Sequence, residues 1–181
     1  GHRRGGLGMA MIGACTGFGA ICGSSVATTA TFARAALPQL RSYRYDPGFA
    51  CGVTAVGGTL GILIPPSVIL VVYAISTEQN IAKLFQAALI PGLLAATFYC
   101  ITIWIMSRLD GTLAPAHERL PWRERWPLLI GVIPALTVAV IVVGGIYGGV
   151  FTPTEAASVG AFIMLLIGLF RRTLGLSEIK Q

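Results

Sequence analysis

The sequence predicts an all-α fold, a polytopic membrane protein with a re-entrant helical hairpin, a discontinuous helix and about three further transmembrane helices. Three observations carry this. The 181 residues are 55% hydrophobic and only 11% charged, with a mean hydropathy of +0.78, too little polar surface to coat a globule facing water. The charges gather at 1–4, 34–46, 78–83, 108–125 and 171–180, and Glu155 alone interrupts the apolar stretches between them. Two of those stretches contain helix-breaking residues at membrane depth.

Five apolar segments follow in order, each judged against the roughly 20 residues a helix needs to cross a bilayer. Gly5 to Leu37 is the first. It is long enough for two half-helices of about 20 Å each, and Gly17, Gly19, Gly23, Ser24 and Ser25 offer a place to turn. A hairpin that enters and returns also leaves Arg3 and Arg4 on the side of the other arginines. Phe49 to Ile75 is the second, broken by Pro65 and Pro66 after Gly57, Gly58 and Gly61. Each proline removes an N–H, so the carbonyls of Gly61 and Ile62 lose their helical donors. The third is Pro91 to Ser107 behind an amphipathic lead-in from Ile81 to Ile90, with Lys83 placed to snorkel. Leu128 to Ile146 and Thr154 to Phe170 complete the set.

Placing the loop with Arg108, Arg119, Arg123 and Arg125 in the cytoplasm puts Arg41, Arg44, Arg171 and Arg172 on the same side. Glu78, Lys83 and the uncharged turn 147–153 then fall outside. The net charge of +6 therefore reflects membrane orientation, and no nucleic-acid partner is expected. Trp122 and Trp126 read as an interfacial helix. Thr152-Pro153-Thr154-Glu155 reads as a capped helix start with a capping-box glutamate. The expected organisation is 1–76, hairpin plus broken helix; 77–127, interfacial helix, transmembrane helix and cytoplasmic loop; and 128–181, two transmembrane helices.

Cys15, Cys22, Cys51 and Cys100 form no C-x-x-C pair, and no metal, haem or disulfide framework is expected. The spacing of Gly13/Gly17, Gly19/Gly23, Gly144/Gly148 and Gly145/Gly149 reads as helix packing. An intramembrane serine hydrolase would need a base beside Ser24 or Ser25, but His2 and His117 lie in polar termini or loops. A non-catalytic assembly subunit would explain the glycine pairs but not two adjacent broken elements.

Those two elements are the candidate site. A half-helix ending inside the membrane aims N–H groups and its positive dipole end at the cavity, which suits a carboxylate. An unwound stretch offers carbonyl oxygens to a hard cation. The second hairpin arm carries Ser24, Thr28 and Thr31 on one face, flanked by Thr29, and Thr54, Thr59 and Ser67 surround the break. From spacing alone these hydroxyls suit helix packing and ligand binding equally.

The runs GAICGSSVATTATFARAALPQL, YDPGFACGVTAVGGTLGILIPPSVILVVY and GGIYGGVFTPTEAASVGAF together resemble the large permease subunit of tripartite ATP-independent periplasmic (TRAP) transporters, the DctM-like family. The resemblance implies an elevator-type, sodium-coupled importer of organic acids such as C4-dicarboxylates in the bacterial inner membrane, not an enzyme. Its partners would be a small permease subunit and a periplasmic substrate-binding protein. Gly23, Ser24 and Ser25 would form the tip of a cytoplasm-facing hairpin, and Gly57 to Ser67 the broken helix beside it. The candidate binding set is Gly23, Ser24, Ser25, Thr28, Thr54, Gly57, Gly58, Thr59, Gly61, Ile62, Pro65, Pro66 and Ser67. Sodium, the implied coupling ion, would meet the backbone of Gly23, Gly61 and Ile62; no other cofactor is expected. Members of that family are much longer, with scaffold helices before this region and a second hairpin after it, so the chain is expected to be a piece of a longer permease.

Overall fold

A computed structural model describes residues 4–115 and 122–170, and the described residues are helical with no strand. They form two units, divided between Leu120 and Pro121. The first contains α1 (Gly6–Cys22), α2 (Ser25–Ala35), α3 (Leu37–Ser42), α4 (Pro47–Leu63), α5 (Val68–Ser76) and α6 (Ile81–Leu109). The second contains α7 (Trp122–Tyr147) and α8 (Pro153–Phe170).

The first apolar segment is two helices. α1 runs straight through Gly17 and Gly19 and stops only at Gly23, whose φ of 64° places it in the left-handed region, with its N–H bonded to the Gly19 carbonyl at 2.9 Å. Glycine takes that conformation without a Cβ penalty. Ser24 is extended and caps α2, its Oγ accepting the Ala27 N–H at 3.4 Å. The two arms touch through Phe18 and Phe32, edge to face with centroids 5.7 Å apart.

The second segment is also two helices, α4 and α5, bent by 42° at residues 64–67. The last helical bond of α4 is Ile64 N–H to the Leu60 carbonyl. Pro65 and Pro66 have no N–H to continue the ladder, so the chain unwinds until Val68. The third segment differs from expectation. Lead-in and span are one helix of 29 residues, α6, with Pro91 inside it, and α6 is long and apolar enough to cross a membrane; α4 and α5 pass the same test counted as one bent span. The tryptophan-rich stretch likewise opens α7 rather than forming a helix of its own. His117, Arg119 and residues 171–181 lie outside the described residues.

α4 is the centre of the first unit. Its inward residues Ala50, Val53, Thr54, Gly57, Gly58, Leu60 and Gly61 meet three helices at once. α1 presents Gly8, Met11, Ile12, Cys15 and Gly19, α2 presents Thr28 and Thr29, and α6 presents Gly92, Ala96 and Ile103 from a buried stripe that also holds Phe85 and Ser107; the α1 and α6 stripes have helical spacing. The open base of the hairpin is tied down separately. Gly5 N–H reaches the Ala114 carbonyl and Asp46 N–H the Leu113 carbonyl, while the Tyr45 hydroxyl accepts the Leu7 N–H at 3.2 Å. Burial pushes the Tyr45 phenol above its ordinary pKa, opposed by the backbone hydrogen bonds from Gly8 and Leu7.

Helices are joined at three corners that close their own hydrogen bonds. At the α3–α4 corner Arg44 is left-handed (φ 55°), Tyr45 N–H bonds the Leu40 carbonyl and Arg44 N–H that of Arg41. The α5–α6 corner repeats this with left-handed Glu78, and the α7–α8 corner with Gly149. All three have the hydrogen-bond pattern of a Schellman motif. Each is followed by a helix capped by a side chain: Asp46, Asn80 and Thr152 accept the N–H of Phe49, Lys83 and Glu155. Glu155 in return accepts the Thr152 N–H at 2.8 Å, the expected capping box.

Candidate functional site

The site begins with the absence of side chains. A Cβ built on Gly61 would stand 2.5 Å from Thr28 Oγ1 and 2.7 Å from the Ser24 carbonyl oxygen, and one on Gly58 would collide with Thr29 Oγ1. On Gly57 it would meet Cys15 Sγ at 2.8 Å, and on Gly19 the Gly61 Cα at 2.9 Å. The three α4 glycines thus let α4 wedge between the hairpin arms at backbone contact, which brings the hairpin tip against the α4–α5 break.

At that junction Val68 N–H donates to the Gly23 carbonyl at 3.2 Å, so the N-terminal ends of α2 and α5 lie side by side. Gly23 is fitted there: a Cβ on it would be 2.7 Å from the Pro66 carbonyl oxygen and 3.4 Å from Ser67 Cα. The first turns of both helices leave N–H groups with no intrahelical acceptor, and their dipoles make the place electropositive. Oxygen supplies the complement. The carbonyls of Gly61 and Ile62 have lost their donors to the prolines. Ser67 is 1% exposed, caps α5 without a side-chain hydrogen bond, and its Oγ has no partner. A buried hydroxyl left unpaired costs about 1–3 kcal/mol and is uncommon in a native protein.

The hydroxyls named from the sequence separate into distinct groups. Thr28 is fully buried, but its Oγ1 donates back to the Ser24 carbonyl at 2.7 Å, which also accepts the Thr28 N–H. Ser24 and Thr28 therefore satisfy each other. Thr31 faces outward, exposed. Thr54 is buried against Met11, its Oγ1 donating to the Ala50 carbonyl at 2.8 Å, more than two turns along α4 from the break. Thr59 points to α6, its Oγ1 3.2 Å from the Tyr99 hydroxyl. The structure brings Gly23 against Pro66 and Ser67, and Gly61 against Ser24 and Thr28, with Ser25, Ile62 and Pro65 their neighbours in the chain, and leaves Thr54 and Thr59 to other partners. Of the glycine pairs, Gly13 and Gly17 meet nothing within 4 Å, nor does Gly144, whereas Gly145 lies under the Phe151 ring within its own corner.

Tyr45, Tyr99 and Gly92 support this arrangement and were missed from the sequence. Their partners lie 38 and 40 residues away for the tyrosines and across α6 and α4 for the glycine, so no local pattern marks them. Among the described residues no group of three His, Cys, Asp or Glu side chains could hold a metal ion. The oxygens at the junction are hydroxyl and carbonyl, donors suited to a hard cation.

Comparison with known proteins identifies the family. The family model of the tripartite ATP-independent periplasmic transporter, DctM component, matches residues 1–181. The C4-dicarboxylate TRAP transporter large permease protein DctM of Pseudomonas aeruginosa is 42% identical over 179 residues, covering 98% of this chain and 42% of that protein. The 2,3-diketo-L-gulonate TRAP transporter large permease protein YiaN of Escherichia coli is 37% identical over 92% of this chain and 39% of its own. The ectoine/5-hydroxyectoine TRAP transporter large permease protein UehC of Ruegeria pomeroyi is 33% identical over 99% of this chain and 42% of its own. The chain thus spans about two fifths of the length of these relatives. With the DctM family model matched along its whole length, the chain belongs to the large permease (DctM) component family of the tripartite ATP-independent periplasmic transporters.

Proposed function

We propose that this chain carries one half-site for ion and substrate in the large permease subunit of a sodium-coupled importer of organic acids. The importer would reside in the bacterial inner membrane and work with a small permease subunit and a periplasmic binding protein. The observation that carries the reading is Ser67: a buried hydroxyl without a partner at the start of α5, where Val68 N–H meets the Gly23 carbonyl before α2, in the stretch in which Pro65 and Pro66 withhold donors from the Gly61 and Ile62 carbonyls. Sodium would take oxygens of Ser67, Gly61, Ile62 and Gly23. The Gly23 carbonyl already accepts one N–H and would offer its remaining lone pair. A substrate carboxylate would face the exposed N–H groups of α2 and α5.

The substrate class rests on the relatives, whose names include C4-dicarboxylate and 2,3-diketo-L-gulonate, both carboxylates. Neither needs a covalent step, and the role proposed here is binding and translocation. α1 and α2 would enter and leave from the cytoplasmic side. Single cysteines at Ser42 and Glu78, both exposed, in a background without the four native cysteines, are expected to label from opposite faces; labelling from one face refutes that topology.

The binding role is tested by sodium titration of uptake in proteoliposomes holding the complete permease and its partners. Ser67→Ala is expected to raise the half-saturating sodium concentration about tenfold, the equivalent of one hydrogen bond or ligand oxygen worth ~1.4 kcal/mol. An unchanged sodium response removes Ser67, and with it this reading of the junction.

A further inference from the structure

We infer that Gly92 of α6 is a positioning residue that sets where α4 ends and hence where the junction carbonyls stand. This rests on the ion-site reading above and extends it to a helix that contributes no ligand.

Gly92 lies in the interior of α6, where glycine is less favourable than alanine, immediately after Pro91, which removes a helical hydrogen bond. Two unfavourable residues in the middle of a 29-residue helix call for a reason, and the geometry gives one. Gly92 is buried, and a Cβ built on it would stand 3.0 Å from the Leu63 carbonyl oxygen, 3.4 Å from the Leu63 carbonyl carbon and 3.0 Å from Ile64 Cγ1. Leu63 is the last residue of α4 and Ile64 the first of the unwound stretch. α6 therefore rests its bare backbone on the Leu63–Ile64 peptide, the next one along from the Ile62 carbonyl, one of the two that the prolines set free.

Two other contacts on the same stripe of α6 fix its register against α4. Ala96, one turn on, is buried, and Tyr99 reaches the Thr59 hydroxyl at 3.2 Å. Tyr99 holds α4 one turn before its end while Gly92 bears on the end itself. A methyl group at residue 92 has to displace either the Ile64 side chain, which can rotate, or the Leu63 carbonyl, which cannot move without turning the neighbouring peptides. Displacement of the carbonyl changes the oxygen geometry that a cation reads, and coordination is sensitive to shifts of a few tenths of an ångström.

The experiment is sodium-dependent uptake in proteoliposomes of the complete permease, for Gly92→Ala, Gly92→Ala/Ile64→Ala and Ser67→Ala beside the parent, with Gly13→Ala as a control in open space. Gly92→Ala is expected to raise the half-saturating sodium concentration at least threefold, with folded yield retained, and Ile64→Ala is expected not to restore it, because the carbonyl remains crowded. Recovery in the double variant, or a fall in maximal uptake or yield with sodium half-saturation unchanged, overturns the inference and makes Gly92 a packing residue. Should Ser67→Ala shift the sodium response and Gly92→Ala not, the positioning role fails alone. If neither shifts, the ion site fails with it.

Discussion

The chain is interrupted in two ways, and the contrast between them separates architecture from site. At the α5–α6 corner, left-handed Glu78 and the cap Asn80 return the chain with the Ala74 and Ile75 carbonyls and the Lys83 N–H all hydrogen-bonded. The α7–α8 corner does the same with Gly149, Thr152 and Glu155. At the α4–α5 break, by contrast, Pro65 and Pro66 withhold donors from Gly61 and Ile62, and Ser67 caps its helix without a side-chain bond. A turn facing water could leave such groups open at little cost. Within apolar surroundings they remain open only where something else completes them. The corners are finished by the chain itself; the break is where the proposed ligand would supply the missing partners.

The largest expected effect breaks the junction outright. Gly61→Val forces side-chain atoms into the Ser24 carbonyl and Thr28 hydroxyl, and overpacking of this kind costs about 1–3 kcal/mol or more. Folded yield after detergent extraction is expected to fall and uptake to be lost. Gly13→Ala, with open space around it, is expected to be neutral or stabilising by up to about 1 kcal/mol. Next in size, Thr152→Ala removes the α8 cap and is expected to cost about 0.5–2 kcal/mol, read as a lower melting temperature with an unchanged sodium response. A changed sodium response there would mean that a closed corner also serves binding.

Smaller effects sharpen the contrast. Arg44→Gly and Glu78→Gly relieve left-handed strain of about 1 kcal/mol, partly offset by the chain entropy of glycine. Each is expected to stabilise by less than about 1 kcal/mol with uptake unaltered. The smallest effect concerns Asp110, whose carboxyl is held below its usual range by the Thr112 hydroxyl and then by the Thr112 N–H. A depressed pKa means its contribution is present above the unfolded carboxylate value and is lost as pH falls through the lower, folded value. Asp110→Asn is expected to remove a shallow acid-side step from the melting temperature measured below about pH 4.

What was legible in the sequence follows the same division. Helix ends are local. Gly23-Ser24, the double proline and Thr152 to Glu155 each carry their geometry within a few residues, so the hairpin, the break and the capping box were readable. Helix faces are not local. Thr54 and Thr59 both sit near the break in sequence, yet one turns to Met11 and the other to Tyr99, because α4 is surrounded and each face meets a different helix. The Gly13/Gly17 spacing promised packing and found open space, while Gly57 and Gly61, which have the same spacing, make close approaches together with Gly58. Tertiary neighbours decided these cases, and a single sequence does not name them. Merging of the lead-in with the third span has a related cause: Pro91 removes one hydrogen bond, but α6 is held by buried residues on both sides of it, Phe85 before and Gly92, Ala96 and Ile103 after.

The central claim is that the junction oxygens are left open for sodium, and thermal denaturation of the complete permease in sodium and in potassium tests it most directly. A ligand that binds only the folded state raises the melting temperature, and removal of an unpaired buried hydroxyl relieves its desolvation cost. Ser67→Ala is therefore predicted to melt higher than the parent in potassium and to gain less from sodium. An equal sodium shift in both proteins, or a lower melting temperature for Ser67→Ala in potassium, would contradict the account.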